Sequence, residues 1–219
     1  MESLVSVCIP VYNGEQFIRE TIEMVLKQDY DNIEVLVSDN ASTDKTVDEI
    51  NKVHDKRVRL LHNKVNIGMG GNWNGVMKQA KGEYVNIVCA DDFLLPYAIK
   101  EKVKVFDNNP DVNIVSSASY VMNESGKKIM KRRPFKRSCK LDGKIMQREL
   151  FIKRNLFAEP TNNMLRRSAI LRTGEFDANL WYTIDWDYWI RILEEGNAYY
   201  IDKPYSGFRI SASSATGTN

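Results

Sequence analysis

Through the first ninety residues, apolar runs of strand length alternate with stretches of helical period. The runs at 5–11, 33–38, 57–62 and 83–89 predict four strands. Between 15 and 28, Phe17, Ile18, Ile22, Val25 and Leu26 fall on one helical face, which predicts a helix there. Asn13 and Gln16 have the spacing of a capping pair for it, and Ser42 or Thr43 supplies a cap for a second helix at 44–53. Gly68, Gly70 and Gly71 mark a close-approach loop, followed by a helix to about residue 80. Such alternation implies a parallel sheet with right-handed crossovers and helices on both faces.

The second half is less regular. It predicts a helix at 97–108, a strand at 112–117, a helix at 142–154 and an extended segment at 161–167. An aromatic turn at 181–189 then opens a helix to about 195, and short strands at 198–202 and 205–210 follow. With no repeat, linker or composition break, 1–219 reads as one domain. Its first part, 1–95, is expected to bind a nucleotide-like ligand, and 96–219 to complete the site.

Ligands of such sheets sit beyond the carboxyl ends of the strands. Three polar clusters occupy those ends: Tyr12-Asn13-Gly14, Asp39-Asn40 and Asp91-Asp92. Coming from three strands, they are able to converge on one crevice.

Charge adds little at first: 31 basic and 29 acidic residues give +2, which advertises no nucleic-acid polymer as partner. The average conceals a contrast. Residues 127–137 hold seven basic and no acidic side chains, and removing them from the +2 total leaves the rest at −5. Either this is a solvated hairpin, or it borders an acceptor site and contacts an anionic bilayer or a phosphate-bearing carrier. Cys8, Cys89 and Cys139 have no metal-ligand spacing, and no run approaches the ~20 apolar residues of a membrane span. A reducing cytoplasm is the expected compartment, with peripheral contact at the inner face of a membrane if the basic segment docks.

Each cluster has two readings. Asp91-Asp92 is either a solvated turn capping the helix near Pro96, or a carboxylate site for Mg²⁺ or Mn²⁺ shared with substrate phosphates. Asn40 carries the donor and acceptor that the edge of uracil presents, so it is a candidate base reader. Tyr12 is either core or a stacking platform for a base. Asp185, within Trp181-Tyr-Thr-Ile-Asp-Trp-Asp-Tyr-Trp189, is either a helix cap in an aromatic core or a carboxylate raised towards neutrality and able to act as a base. Asp187 suits the first helical turn, and the aromatic faces suit sugar rings. His54 and His62 lack partners for zinc or a triad, and neither glycine-rich nucleotide-loop pattern follows the first strand.

Five segments, taken in order, resemble one known family. They are Val5-Ser-Val-Cys-Ile-Pro-Val-Tyr-Asn-Gly14, Val37-Ser-Asp-Asn-Ala-Ser-Thr-Asp44, Ala80-Lys-Gly-Glu-Tyr-Val-Asn-Ile-Val-Cys-Ala-Asp-Asp92 with Asn66-Ile-Gly68 and Asn72 before it, Asp185-Trp-Asp-Tyr-Trp-Ile-Arg191, and Phe208-Arg209-Ile210. Together they resemble the inverting GT-A glycosyltransferases of family 2. The resemblance implies an α/β GT-A fold: a Rossmann-like, mostly parallel central sheet flanked by helices, with a small mixed C-terminal part. It also implies metal-dependent transfer of a hexose from a nucleotide-diphosphate sugar, UDP-sugar first, to a hydroxyl of a glycan or lipid-linked acceptor in envelope polysaccharide or glycolipid synthesis.

By position, the resemblance places Pro10, Tyr12, Asp39, Asn40 and Asp91 around base and ribose, Asp92 on Mg²⁺ or Mn²⁺, and Asp185 as the base. Trp181, Trp186 and Asp187 would lie towards the sugar or acceptor. Asn40 and Cys89 stand where many members carry Asp, Ile184 where Glu is common, and Ser211 where His is common. The chain also ends where many members continue into further helices, which implies a C-terminal truncation. The thinner acidic set motivates an alternative, a sugar-nucleotide-binding module with weak or no catalysis.

Overall fold

The computed structural model describes residues 2–210; Met1 and 211–219, with Ser211 among them, lie outside the described residues. Three parallel ladders join β1 (Val5–Val11) to β2 (Ile33–Asp39), β2 to β3 (Val58–His62), and β1 to β4 (Tyr84–Ile87). The first crossover is α1 (Ile18–Leu26), the second α2 (Thr46–Asn51) and the third α3 (Gly68–Lys78). β1 is buried along its whole length because both faces are covered. Val5, Val7, Ile9 and Val11 pack with Ile18, Ile22 and Val25 of α1, while Cys8 faces Trp73 and Val76 of α3. That is why the strand reads as a continuous apolar run.

The sheet continues through shorter and mixed pairings. After β5 (Phe93–Leu94) come α4 (Ala98–Asn108), β6 (Val112–Asn123), β7 (Lys128–Arg132) and β8 (Cys139–Leu141). Then α5 (Gly143–Ile152), β9 (Met164–Arg166), α6 (Arg167–Thr173), α7 (Ile184–Ile192) and β10 (Asn197–Ile210) complete the described chain. The main strand order is β3-β2-β1-β4-β9-β6-β10-β5, with β7 on β6 and β8 on β10. β9 is antiparallel to both β4 and β6, so it joins the N-terminal parallel sheet to the parallel β6–β10 pair. This α/β mixed sheet, mostly parallel along its long ladders, is the expected fold class.

Several local expectations need correction. The glycines at 68–71 open α3 rather than forming a loop. Gly68 takes φ +77°, and a Cβ on Gly70 would come within 2.8 Å of the Ala178 backbone, so the close approach is real but made by a helix. The two short C-terminal strands are one, β10, whose ladder shifts register around Pro204. The strand at 112–117 extends to Asn123, and α6 was not legible as a separate helix.

None of the expected caps forms at α1, α2 or α4. These helices begin after Phe17, Lys45 and Tyr97, without side-chain cap bonds from those residues. The polar side chains are drawn instead into contacts between loops. Asn13 Oδ1 accepts from Thr43 N at 2.9 Å, Gly14 N donates to Thr46 Oγ1 at 2.7 Å, and Glu15 N donates to Asp44 Oδ2 at 3.1 Å. The turns after β1 and β2 are thereby locked to each other.

Candidate functional site

Those interlocked turns form one wall of a cavity of about 1240 Å³ at the carboxyl ends of β1, β2 and β4. Pro10, Tyr12, Asn40, Asp91, Asp92, Trp181, Asp185 and Trp186 all line it. The three polar clusters and the aromatic segment therefore converge, although 173 positions separate Tyr12 from Asp185 along the chain.

Two expected site residues lie behind the wall. Asp39 is fully buried, accepting from the backbone N–H of Ser42 and lying 2.8 Å from His62 Nδ1. It anchors the turn that presents Asn40. Asp187 pairs with Arg191 one helical turn on, at 2.8 Å. Asn40 reaches the cavity with its amide already engaged: Nδ2 donates to Asn66 Oδ1 and Gly68 O, and Oδ1 accepts from Asn63 Nδ2 and Ile67 N. It fastens the entry to α3. Tyr12 is half exposed on the cavity lip, its ring free to stack.

Asp92 is buried and held from two sides. Thr161 Oγ1 donates to its Oδ2 at 2.6 Å, and the Arg209 backbone N–H donates to its Oδ1 at 3.1 Å. Burial pushes its pKa well above the ordinary carboxylate value, and the charges of Asp91 and Glu159 push in the same direction. Burial raises Asp91 as well, opposed in part by Arg209. Neither carboxylate caps α4. Two crowded carboxylates facing a cavity present the charge that a divalent cation relieves. Among the described residues no group of three or more His, Cys, Asp or Glu is arranged to hold a metal. The donor set therefore fits an ion shared with substrate phosphates rather than one enclosed by protein.

Asp185 occupies the second position of α7, not its cap, which is Thr183. Its Oδ2 accepts from Asn155 Nδ2 at 3.2 Å and its Oδ1 from the Trp186 N–H at 2.7 Å. Burial raises it to about 6, close to the range in which a carboxylate serves as a general base at neutral pH.

Sequence reasoning missed three participants. Arg209 on β10 is buried, donates from Nε to Asp91 O at 2.6 Å, pairs with Glu20 at 2.6 Å and lies between the rings of Phe17 and Phe93. Glu159 is buried in the cavity wall and pairs with Arg132 at 2.6 Å. Asn155 holds Asp185. A glutamate directly before Pro160 in a polar stretch was the one available signal for Glu159, since such a residue is driven into extended backbone. The basic segment contributes Lys131, Arg132 and Arg133 to the rim, with Arg133 paired to Asp202. Among the described residues no helix is long and apolar enough to cross a membrane.

Comparison with known proteins adds three likenesses. An uncharacterized glycosyltransferase of Methanocaldococcus jannaschii is 30% identical over 194 residues, 87% of this chain and 64% of that protein. S. aureus TarS 1-349 in complex with UDP-GlcNAc superposes with a TM-score of 0.82 at 21% identity, covering 99% of this chain and 61% of TarS 1-349. A mannosyltransferase from Pyrobaculum calidifontis, in complex with GDP-Man and Mn²⁺, gives 0.71 at 22% identity, covering 98% of this chain and 59% of its own. The chain thus spans just under two thirds of the length of these proteins. Residues 6–174 match the model of the glycosyl transferase family 2. On that match, covering most of the sequence and three of the five resembling segments in whole or in part, the chain belongs to glycosyl transferase family 2.

Proposed function

We propose that this chain is an inverting glycosyltransferase that moves a hexose from a nucleotide-diphosphate sugar to a hydroxyl acceptor. The observation that carries the reading is Asp185: a carboxylate raised to about 6 by burial, opening on the same cavity as Asp91 and Asp92. In this reading Pro10 and Tyr12 take the base, Asn40 and the buried Asp39 shape the floor beneath it, and Asp91 lies at the ribose. Residues up to 95 hold the nucleotide, and the remainder supplies the acceptor side. UDP-sugars come first among donors, supported by the UDP-GlcNAc held by TarS 1-349; the GDP-Man complex of the other relative keeps GDP-sugars in view.

Asp92 would hold Mg²⁺ or Mn²⁺, which when bound neutralises charge on the leaving diphosphate. Mn²⁺ in the mannosyltransferase complex supports that choice. Asp185 removes the proton from the acceptor hydroxyl as its oxygen bonds to the anomeric carbon. The bond from that carbon to the diphosphate oxygen breaks, and the nucleoside diphosphate leaves. Attack from the face opposite the leaving group inverts the centre. Trp181 and Trp186 offer faces for the sugar rings, Asn155 keeps Asp185 aimed, and the shared cavity supplies orientation. Lys131 and Arg154 on the rim support a phosphate-bearing or lipid-linked acceptor, with the basic hairpin towards an anionic bilayer.

The test is nucleotide release from UDP- and GDP-sugars with Mn²⁺ or Mg²⁺, beside direct measurement of UDP binding. Asp185→Asn is expected to lower transfer at least ~10³-fold while leaving UDP binding within about threefold, and Asp92→Ala to weaken both. Loss of UDP binding in Asp185→Asn would remove the base assignment. UDP binding with no turnover of any donor by the unaltered chain would favour the binding-module reading, which the thin carboxylate set motivates.

A further inference from the structure

Helix α5 carries two apolar stripes, and the fold uses only one of them. Gly143, Met146 and Leu150 are buried, and Met146 and Leu150 join the apolar cluster of Tyr188, Trp189 and Ile192 on α7. The other stripe is left outside. Ile145 and Ile152 are each 63% exposed, and Phe151 is 81% exposed. Ile145, Arg148 and Ile152 recur at positions i, i+3 and i+7, so they form one outward row, flanked by Lys144 and Phe151. A helix packed on one side only normally keeps large apolar residues to that side.

The same outward face is basic. Residues 143–154 hold Lys144, Arg148, Lys153 and Arg154 against a single acid, Glu149, which is paired with Lys153. Lys144, Arg148 and Arg154 are left without an ion-pair partner among the described residues. Arg154, two positions beyond the helix, lines the functional cavity, as do the exposed Trp181 and Tyr182. β7 brings the same mixture to the rim: Lys128, Ile129, Met130 and Lys131 are all exposed, and Met130 and Lys131 line the cavity. Large apolar side chains interleaved with unpaired cations match an anionic bilayer, which takes up the first and attracts the second. Other covers match less well. A second copy in two-fold contact would set cations against cations, and residues 211–219 contain no acidic side chain to neutralise them.

We propose that α5 lies in the plane of an anionic bilayer surface, with Ile145, Phe151 and Ile152 in the acyl boundary and Lys144, Arg148 and Arg154 at the lipid phosphates. Ten residues, about 15 Å of helix, are too short to span a bilayer and long enough to rest on one. Seated so, the helix sets the cavity mouth at Arg154 against the membrane. A lipid-linked acceptor then reaches Asp185 with its tail still in the bilayer. The inference deepens the lipid-linked acceptor reading and rests on it for its purpose. It assigns the anchoring to α5, with the basic hairpin as a second, weaker contact.

The test is co-sedimentation with vesicles of phosphatidylcholine alone and of phosphatidylcholine with phosphatidylglycerol. The unaltered chain should bind only the anionic vesicles, and less tightly as salt is added. Phe151→Ser with Ile152→Ser should lower the partition coefficient at least ~10-fold. The far-ultraviolet circular dichroism and thermal midpoint should stay unchanged, because both side chains are exposed. Lys144→Gln with Arg148→Gln should lower it about 10- to 30-fold and flatten the salt dependence. Equal binding to both vesicle types, or full binding by both α5 double variants, overturns the proposal. So does binding that survives in those variants and is lost on neutralising Lys128 and Lys131, because that assigns the contact to the hairpin. A dimer seen by light scattering, converted to monomer by Phe151→Ser with Ile152→Ser and indifferent to vesicles, gives the face to a second copy and also overturns it. Vesicle binding needs no turnover. A chain that binds anionic vesicles through α5 and turns over no donor therefore upholds this inference while overturning the glycosyltransferase reading.

Discussion

Asp185 and Asp187 lie two positions apart on α7 and meet opposite environments. Asp187 is spent on Arg191, while Asp185 is buried against the cavity and raised to about 6. Because the folded group binds its proton more tightly than a free carboxylate, it loses that proton only as pH rises through about 6. Transfer should therefore climb about tenfold per pH unit below 6 and level off above it, in a kcat/KM profile taken at saturating metal. A profile flat from pH 5 to 8 would argue against Asp185 as the base. At this scale the sequence was informative where a residue's neighbours in sequence are also its neighbours in space: the aromatics flanking Asp185 do help to bury it. It was silent for Glu159, whose partner Arg132 is 27 positions away, and it misled for Asn40, whose amide is used up by residues 63–68.

At the scale of elements, α4 carries a feature of its own. Its buried stripe is Ala98, Ile99, Lys102, Val103 and Phe106, so a lysine occupies an apolar position. Lys102 is fully buried, its Nζ has no hydrogen-bond partner among the described residues, and burial lowers it to about 7, with Glu159 opposing. Between about 7 and the ordinary 10.5 the unfolded chain holds this proton and the folded chain does not, so stability should rise with pH across that window. Lys102→Met should stabilise the fold by roughly 1–3 kcal/mol at pH 7 and flatten that rise, read from urea midpoints at several pH values. An unchanged slope would show that Lys102 is not its source. The strands β1 to β4 were legible because both faces are covered and the apolar runs are unbroken. β10 was not, because the register shift around Pro204 and the exposed Lys203 interrupt the pattern of one continuous strand. The lost helix caps have a similar cause: their polar side chains found partners across the crevice, which no local pattern encodes.

Over the whole molecule, residues 2–95 and 96–210 are not separable bodies. β9 pairs with β4 on one side and β6 on the other, β5 pairs with β10, and Arg209 reaches Glu20, Phe17 and Phe93 from the far end of the described chain. Unfolding should accordingly be one transition, coincident by near- and far-ultraviolet circular dichroism. Arg209→Met should keep it single while costing about 2–4 kcal/mol. Two resolved transitions would contradict this reading of the sheet. The long reach of Arg209 also bears on synthesis at the ribosome. Asp92 is specified early, yet its backbone donor belongs to residue 209, and Thr161 supplies the other contact. A nascent chain that has exposed its first hundred residues presents the carboxylates without their clamps. The site is therefore completed from the C-terminal side, and a message cut short before β10 yields the first four resembling segments without a finished cavity.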